Sequence, residues 1–239
     1  MTQYEVVPVE VGGRSADASV FLHMTEPGTT YDIVYRLWVL KSDSQLVVVD
    51  TGPPLDESHQ RGITKVQDLD DALKPHGFDA KDISLVYLTH LHWDHAANAD
   101  KFPNATFFAQ QREIDFFKSP MRAHKTFDRY YSHQEYLSGL IDAGRIKPLD
   151  GDMTLDHGID VMRVGGHTPG SQMVVVDTAD GKGVLTGDAI PTNRNYVEDI
   201  PSGIVIDLQE AVNALARVRD MNPGALFTGH DPDEKLVLS

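Results

Sequence analysis

The sequence predicts an α/β fold in four layers, αβ/βα: two packed mixed β-sheets with helices outside, in one domain spanning residues 1–239. Three observations point to it. Each half of the chain runs strands first and helices after, the pattern expected when helices cover the outer face of each sheet. Apolar runs end repeatedly in a polar tip flanked by glycine. The length of 239 residues suits a single α/β unit with a substantial core.

Taken in order, residues 4–11 (YEVVPVEV), 35–41 (YRLWVLK) and 45–50 (QLVVVD) read as strands, the last two separated by the turn-forming SDS. Residues 64–75 carry Val66, Leu69 and Leu73 at helical spacing, with Gly77 as the stop. The apolar run 83–88 (ISLVYL) reads as a buried strand, and 105–110 (ATFFAQ) as another. Residues 126–143 form a Tyr-rich helical segment that ends before Gly144. Its Phe127, Tyr130, Tyr131 and Tyr136 are explained by ordinary packing, with the wall of a substrate pocket as the alternative, and they stand as candidate substrate-binding residues. The second half repeats the pattern of strand and polar tip: IDVMRV into GGHTPG, QMVVVDT into a turn, GVLTGD and, after a helix over 208–220, ALFTGHD. No fixed-period repeat and no low-complexity linker interrupts it.

Composition excludes several functions. A formal charge of −15 argues against nucleic acid as a partner, because a phosphate-backbone binder needs clustered Lys and Arg to displace counterions. There is no cysteine, so disulfides, thiolate metal sites and a thiol nucleophile are all excluded, and any metal must sit on nitrogen and oxygen. The start MTQYEVVPVE lacks the basic and apolar regions of a secretory signal, and no run of about 18 apolar residues could span a bilayer. The expectation is a soluble cytoplasmic protein with no membrane partner.

Residues 89–95 read THLHWDH. His90 and His92 lie two apart on a chain leaving a strand, so both can point one way while Leu91 turns back to the core. Asp94 and His95 follow where a helix would begin, and Asp94 suits the N-cap. Alone, Asp94 would be a cap and each histidine solvated. Together at the end of a core strand they need compensation for burial, and metal coordination is the usual one. His167 in GGHTPG, Asp188 in LTGDA and His230 in FTGHD each sit at the tip of an apolar run beside glycine, and these tips would converge at one edge. His23, His59, His76, His124, His133 and His157 lack that context and read as incidental.

The order HxHxDH, a lone His in GHTPG, Asp after TG and His after TG resembles the metallo-β-lactamase superfamily of dinuclear metal hydrolases, from about Val48 to the FTGHD tip. Within it, GDAIPTNRNYVEDIPSGI and the GHD ending are most similar to the N-acyl homoserine lactonase branch. The resemblance implies that His90, His92 and His167 hold one metal, that Asp94, His95 and His230 hold the other, and that Asp188 bridges them. Asp50 and Gly52 match the family's DTG tip, which implies that Asp50 supports the histidine loop as a hydrogen-bond acceptor; a plain turn residue is the other reading.

The implied cofactors are two divalent ions, zinc first, with iron, manganese and cobalt also suited to such donors. Two cations would lower the pKa of a bridging water from about 15.7 toward 7, and the resulting hydroxide would attack a small-molecule lactone or ester while Asp94 carries the proton to the leaving group. One departure stands out: homoserine lactonases carry a substrate-binding tyrosine shortly after the bridging aspartate, and Pro191 occupies that place here. Tyr196 is the candidate substitute. A glyoxalase-II-like thioesterase shares the metal motifs but would need a basic carboxy-terminal helical region to hold glutathione. A nuclease is disfavoured by charge, an exported β-lactamase by the missing signal, and a non-catalytic metal-stabilised module by the size of the ligand set. A homodimer is compatible with the sequence.

Overall fold

The computed structural model describes residues 2–238, so the first and last residues of the predicted 1–239 span lie outside the described residues. The apolar runs form two six-stranded sheets. The first is β1 (Glu5–Asp17), β2 (Thr30–Lys41), β3 (Leu46–Val49), β4 (Leu85–Tyr87), β5 (Thr106–Gln110) and β6 (Ile146–Leu149), neighbours in that order. It is antiparallel from β1 to β3 and parallel from β3 to β6. The second runs from β7 (Met153–Thr154) through β8 (Ile159–Arg163), β9 (Gln172–Thr178), β10 (Gly181–Gly187) and β11 (Ala225–Thr228) to β12 (Leu236–Val237), antiparallel except for the β10–β11 pair. The helices are α1 (Leu55–Gln60), α2 (Leu69–Leu73), α3 (Trp93–Ala96), α4 (Gln111–Lys118), α5 (Lys125–Asp128), α6 (Gln134–Asp142), α7 (Asn193–Val197) and α8 (Leu208–Met221).

Three separate apolar clusters make the expected four layers visible. Val47 and Val49 of β3, Trp38 and Leu40 of β2, and Val174 and Val176 of β9 meet between the sheets. The alternate residues point the other way: Leu37, Val39 and Val48 pack against Leu69, Leu73, Ile114, Phe117 and Leu137, while Met173 and Val175 pack against Ala214, Leu215 and Val218 of α8. A strand covered on both faces has no polar side to display, which is why runs such as LVVV (46–49) and MVVV (173–176) lack the hydrophobic–polar alternation of a half-exposed strand. No helix among the described residues is long and apolar enough to cross a membrane.

Two helical expectations are corrected. Residues 64–75 are helical only from Leu69 onward, through α2 and a following 3₁₀ turn. The backbone before it is already committed to β1: Thr64 N–H bonds Gly13 O at 2.8 Å, and Gln67 N–H bonds Val11 O at 3.1 Å. Asp68 then caps the shorter helix through Asp70 N–H at 3.0 Å. Residues 126–143 split into α5 and α6 at His133, whose φ of 53° lies in the left-handed region; Tyr130 O, freed by the break, takes the N–H of Trp93 at 2.9 Å. Helices α1, α4 and α7 were not predicted; each is short and carries too few apolar repeats to register as a period.

A pair of buried glutamines fastens the sheets together near the strand tips. Gln172 of β9 donates through Nε2 to Leu88 O at 2.8 Å and to Phe108 O at 3.3 Å, and accepts from Gln110 Nε2 at 2.9 Å. Its backbone N–H bonds Thr89 O at 2.9 Å. Replacing Gln172→Leu leaves Leu88 O buried without its side-chain donor, a loss on the order of 1–3 kcal/mol. Urea unfolding should show the midpoint falling at unchanged m-value; an unchanged midpoint would remove the clasp from the account.

Candidate functional site

Parallel strands end on the same side, and ligand sites of α/β sheets form outside those carboxyl ends. Here β3 delivers Asp50, β4 delivers residues 89–95, β8 leads into the loop with His167, and the parallel pair β10 and β11 ends in Asp188 and His230. The approach is close at one point in particular. Gly187 has a φ of 50°, and a Cβ there would lie 2.6 Å from Thr89 Oγ1, so only glycine lets the tip of β10 bring Asp188 against the histidine loop.

The converging donors form three groups whose ligand atoms lie within 4.8 Å of one another: His90, His92 and His167; His90, His95 and Asp188; Asp94, His95 and His230. His92 Nδ1 stands 3.0 Å from His167 Nε2. Asp188 lies between the groups, with Oδ2 at 3.4 Å from His167 Nε2 and Oδ1 at 3.2 and 3.0 Å from the Nε2 atoms of His95 and His230. Asp94 Oδ2 is 3.7 Å from His95 Nε2 and 3.6 Å from His230 Nε2.

The far side of each ring fixes what the near side offers. His167 Nδ1 faces Ile204 O at 2.7 Å and His230 Nδ1 faces Val34 O at 2.8 Å; carbonyls only accept, so both Nδ1 atoms carry hydrogen and both Nε2 atoms turn inward. Asp50 takes His95 Nδ1 at 2.7 Å, together with Thr89 N–H at 2.7 Å and the Thr89 hydroxyl. Having given its hydrogen to Asp50, that hydroxyl accepts from His90 Nδ1 at 3.1 Å. His90 Nε2, His95 Nε2 and Asp188 Oδ1 are then buried with no hydrogen-bond partner.

The charges balance poorly without a cation. Burial first, then mutual repulsion with neighbouring imidazoles, holds His90 well below the ordinary histidine range, and burial followed by His167 does the same to His92. Burial also lowers His167. It pushes His95 down too, but Asp188, Asp50 and Asp94 together bring that residue well above the ordinary range, and Asp188 with Asp94 raises His230. Burial alone would raise Asp188; His230 and His95 instead hold it well below the usual carboxylate range. The carboxylates thus favour positive charge among these imidazoles, against the cost of burial. The orphaned atoms and this charge pattern fit divalent cations bound by nitrogen and oxygen.

The other predicted residues divide. Asp94 is not an N-cap: α3 begins at Trp93 with His92 as its cap residue, and Asp94 lies in the first turn with its carboxylate facing the histidines. Tyr130 stacks on His92 at 5.0 Å and Tyr131 meets it edge-on at 5.0 Å. Phe127 packs on Phe116 instead, and Tyr136 is exposed without contact to the cluster. Tyr196 is directed elsewhere, its ring under the Arg219 guanidinium at 4.8 Å and its carbonyl accepting from the same side chain. The incidental histidines belong to none of the three donor groups. Missed altogether were Phe21 and Tyr35, edge-on to His230 at 5.5 and 5.2 Å, and the buried Glu113. Tyr35 alternates with Leu37 and Val39 like any core residue of a strand, and no local signal marks it.

Residues 35–230 match the metallo-beta-lactamase superfamily, and the chain belongs to that family. Among individual relatives it is 28% identical to an N-acyl homoserine lactonase of Rhizobium radiobacter over 86% of this chain and 85% of that one. It is 24% identical to an N-acyl homoserine lactonase of a Bacillus species over 98% and 96%. A solved N-acyl homoserine lactone hydrolase, holding N-hexanoyl-L-homoserine at its catalytic metal centre, shares the fold with a TM-score of 0.81 at 24% identity, covering 97% of this chain and 95% of that one.

Because metal ligands must be deprotonated, cation binding should compete with protonation of His95 and His230, which the neighbouring carboxylates favour. Burial disfavours the protonated form of His90, His92 and His167, so these should contribute little to proton release. Affinity should therefore rise with pH, and the rise should continue above the usual histidine value of 6.5. Calorimetric titration of metal-free protein with Zn²⁺ in buffers of different ionisation enthalpy should show net proton release and about two ions per chain. Proton uptake, or saturation at one ion, would contradict this account of the cluster.

Proposed function

We propose that this chain is a dinuclear metal-dependent hydrolase that opens a lactone ring, acting in the cytoplasm on an acyl homoserine lactone or a similar lactone. The observation that carries the reading is the set of buried, partnerless donors His90 Nε2, His95 Nε2 and Asp188 Oδ1 within a cluster of imidazoles and carboxylates. Superfamily membership and the N-acyl homoserine lactonases among the relatives support the reaction class.

His90, His92 and His167 would hold one cation, Asp94, His95 and His230 the other, and Asp188 both, since its two oxygens turn to different histidines. We assign zinc, and iron, manganese or cobalt would suit the same donors. When bound, the two cations supply Lewis acidity, making water nucleophilic at neutral pH and offsetting negative charge on the substrate. The outer hydrogen bonds of Asp50, Val34 O and Ile204 O keep the rings in the orientation and tautomer that this needs.

The proton is handled by the chain itself. In ring opening, the water oxygen bonds to the carbonyl carbon, the ring C–O bond breaks, and a proton from the water must reach the departing alkoxide. Asp94 is suited to take it and deliver it: its side chain is 11% exposed, more open than the imidazoles beside it, and faces His95 and His230. Tyr130, half-buried beside His92, offers apolar surface for an acyl tail, and the buried Tyr131, Phe21 and Tyr35 keep bulk water back from His92 and His230.

Asp94→Asn should retain metal yet lose roughly 10²- to 10⁴-fold in kcat; turnover near wild type would remove Asp94 from proton transfer. The substrate class is tested by following ring opening of acyl homoserine lactones, simple γ- and δ-lactones and aryl esters, beside S-lactoylglutathione. Lactones should show the highest kcat/KM. Faster cleavage of the thioester than of every lactone would replace this reading by a thioesterase.

A further inference from the structure

We propose that Glu113 is a positioning residue whose buried carboxylate couples the two loops bearing His90, His92 and His167, and thereby sets the affinity for the cation that those three residues hold. The inference rests on the reading of these histidines as metal ligands.

Glu113 lies in the first turn of α4 and is fully buried. Among the described residues no Lys, Arg or His forms a salt bridge with it, so its burial is compensated by hydrogen bonds alone. The partners of those bonds are specific. Oε1 accepts the N–H of Leu91, the residue between His90 and His92, at 3.0 Å. Oε2 accepts the Thr168 hydroxyl at 2.7 Å and the Gly170 N–H at 3.0 Å, just after His167. Each oxygen therefore serves a different loop, one from each sheet.

The fit is tight on the second side. A Cβ at Gly170 would collide with the backbone N, Cα and Cβ of Glu113, so the helix turn rests directly on the GHTPG loop. Thr168 is locked in turn by Ser171, whose hydroxyl accepts the Thr168 N–H at 3.0 Å and pairs with its Oγ1 at 2.8 Å. A carboxylate serving only to fill space could be replaced by leucine at less electrostatic cost. Two acceptor oxygens directed to two loops make sense if the separation of those loops matters, and it fixes the 3.0 Å approach of His92 Nδ1 to His167 Nε2.

Glu113→Gln retains the shape but has one acceptor oxygen, so one loop loses its anchor. Chelator competition with Zn²⁺ should show one of the two sites weakened roughly 10- to 100-fold, the range typical when a partner behind the ligands is removed, with the other site close to wild type. A second readout separates positioning from mere structure. The rise in Tm on adding Zn²⁺ should shrink in the variant, whereas a purely structural loss would lower both forms equally and leave that rise unchanged. Should Glu113→Gln fail to fold, Thr168→Val carries the same test, with a smaller weakening of the same site expected. If the wild type binds two ions and the folded variants match its affinity and its Tm rise, the inference is overturned alone. If the wild type binds none, the metal reading fails and takes the inference with it.

Discussion

Five imidazoles and two carboxylates share one buried cluster, and the desolvation and mutual repulsion of these groups form the constraint around which the molecule is arranged. No ring is left free to turn away. The groups that hold them come from distant parts of the chain: Asp50 beyond β3 for His95, Val34 within β2 for His230, Ile204 ahead of α8 for His167. Val34 also bonds the backbone of His230 through its own N–H at 3.0 Å, so a strand of the first sheet receives a ligand loop of the second. The site is thus a junction between the two sheets, and the buried pair Gln110 and Gln172 is needed to hold that junction in register.

The same constraint explains what could be read from the sequence. Polar residues at the ends of apolar runs have to be accounted for chemically, and four crowded into THLHWDH with three more at glycine-flanked tips admit few explanations. The strands were legible because they are covered on both faces and so are continuously apolar. The failures have a common cause, which is that tertiary partners override local pattern. Helical spacing at Val66 meant nothing once Thr64 and Gln67 had given their N–H groups to β1. Asp94 has the composition of a cap, yet the chain turns into α3 before reaching it. The aromatic segment looked uniform, but the break at His133 leaves Tyr130 and Tyr131 on His92 while Tyr136 faces solvent. For Tyr196 the deciding neighbour was Arg219, some twenty residues onward, and no motif announces such a pair. Glu113 is the hardest case: one carboxylate among many in an acidic chain, distinguished only by where its two oxygens point.

Net charge also conceals local arrangement. The chain carries a formal −15, which weighs against polyanionic partners at long range. Around the cluster, guanidiniums are seated on several of the aromatic rings. Arg61 lies over Trp93 at 4.3 Å, Arg129 over Tyr130 at 4.7 Å and Arg14 over Tyr35 at 6.0 Å. Such contacts contribute roughly 0.5–2 kcal/mol each and restrain the rings. Their charge reaches the site as well: Arg61 helps to lower His92, and Arg14 opposes the rise that burial and then Asp94 impose on the Tyr35 phenol.

That placement bears on the substrate class proposed above. A neutral ester or lactone gains little from a guanidinium while it is merely bound. Once water attacks, negative charge grows on the carbonyl oxygen and then on the departing alkoxide, and a fixed positive field stabilises that state more than the ground state. Only such differential stabilisation accelerates the chemical step. A substrate already carrying several negative charges would be held tightly from the outset, and the same field would then contribute to binding without contributing to rate. For the neutral lactone or ester proposed above, the acidic exterior and the arginine-seated aromatic rings would act in one direction, against polyanions at a distance and toward a carbonyl compound whose charge appears only during reaction.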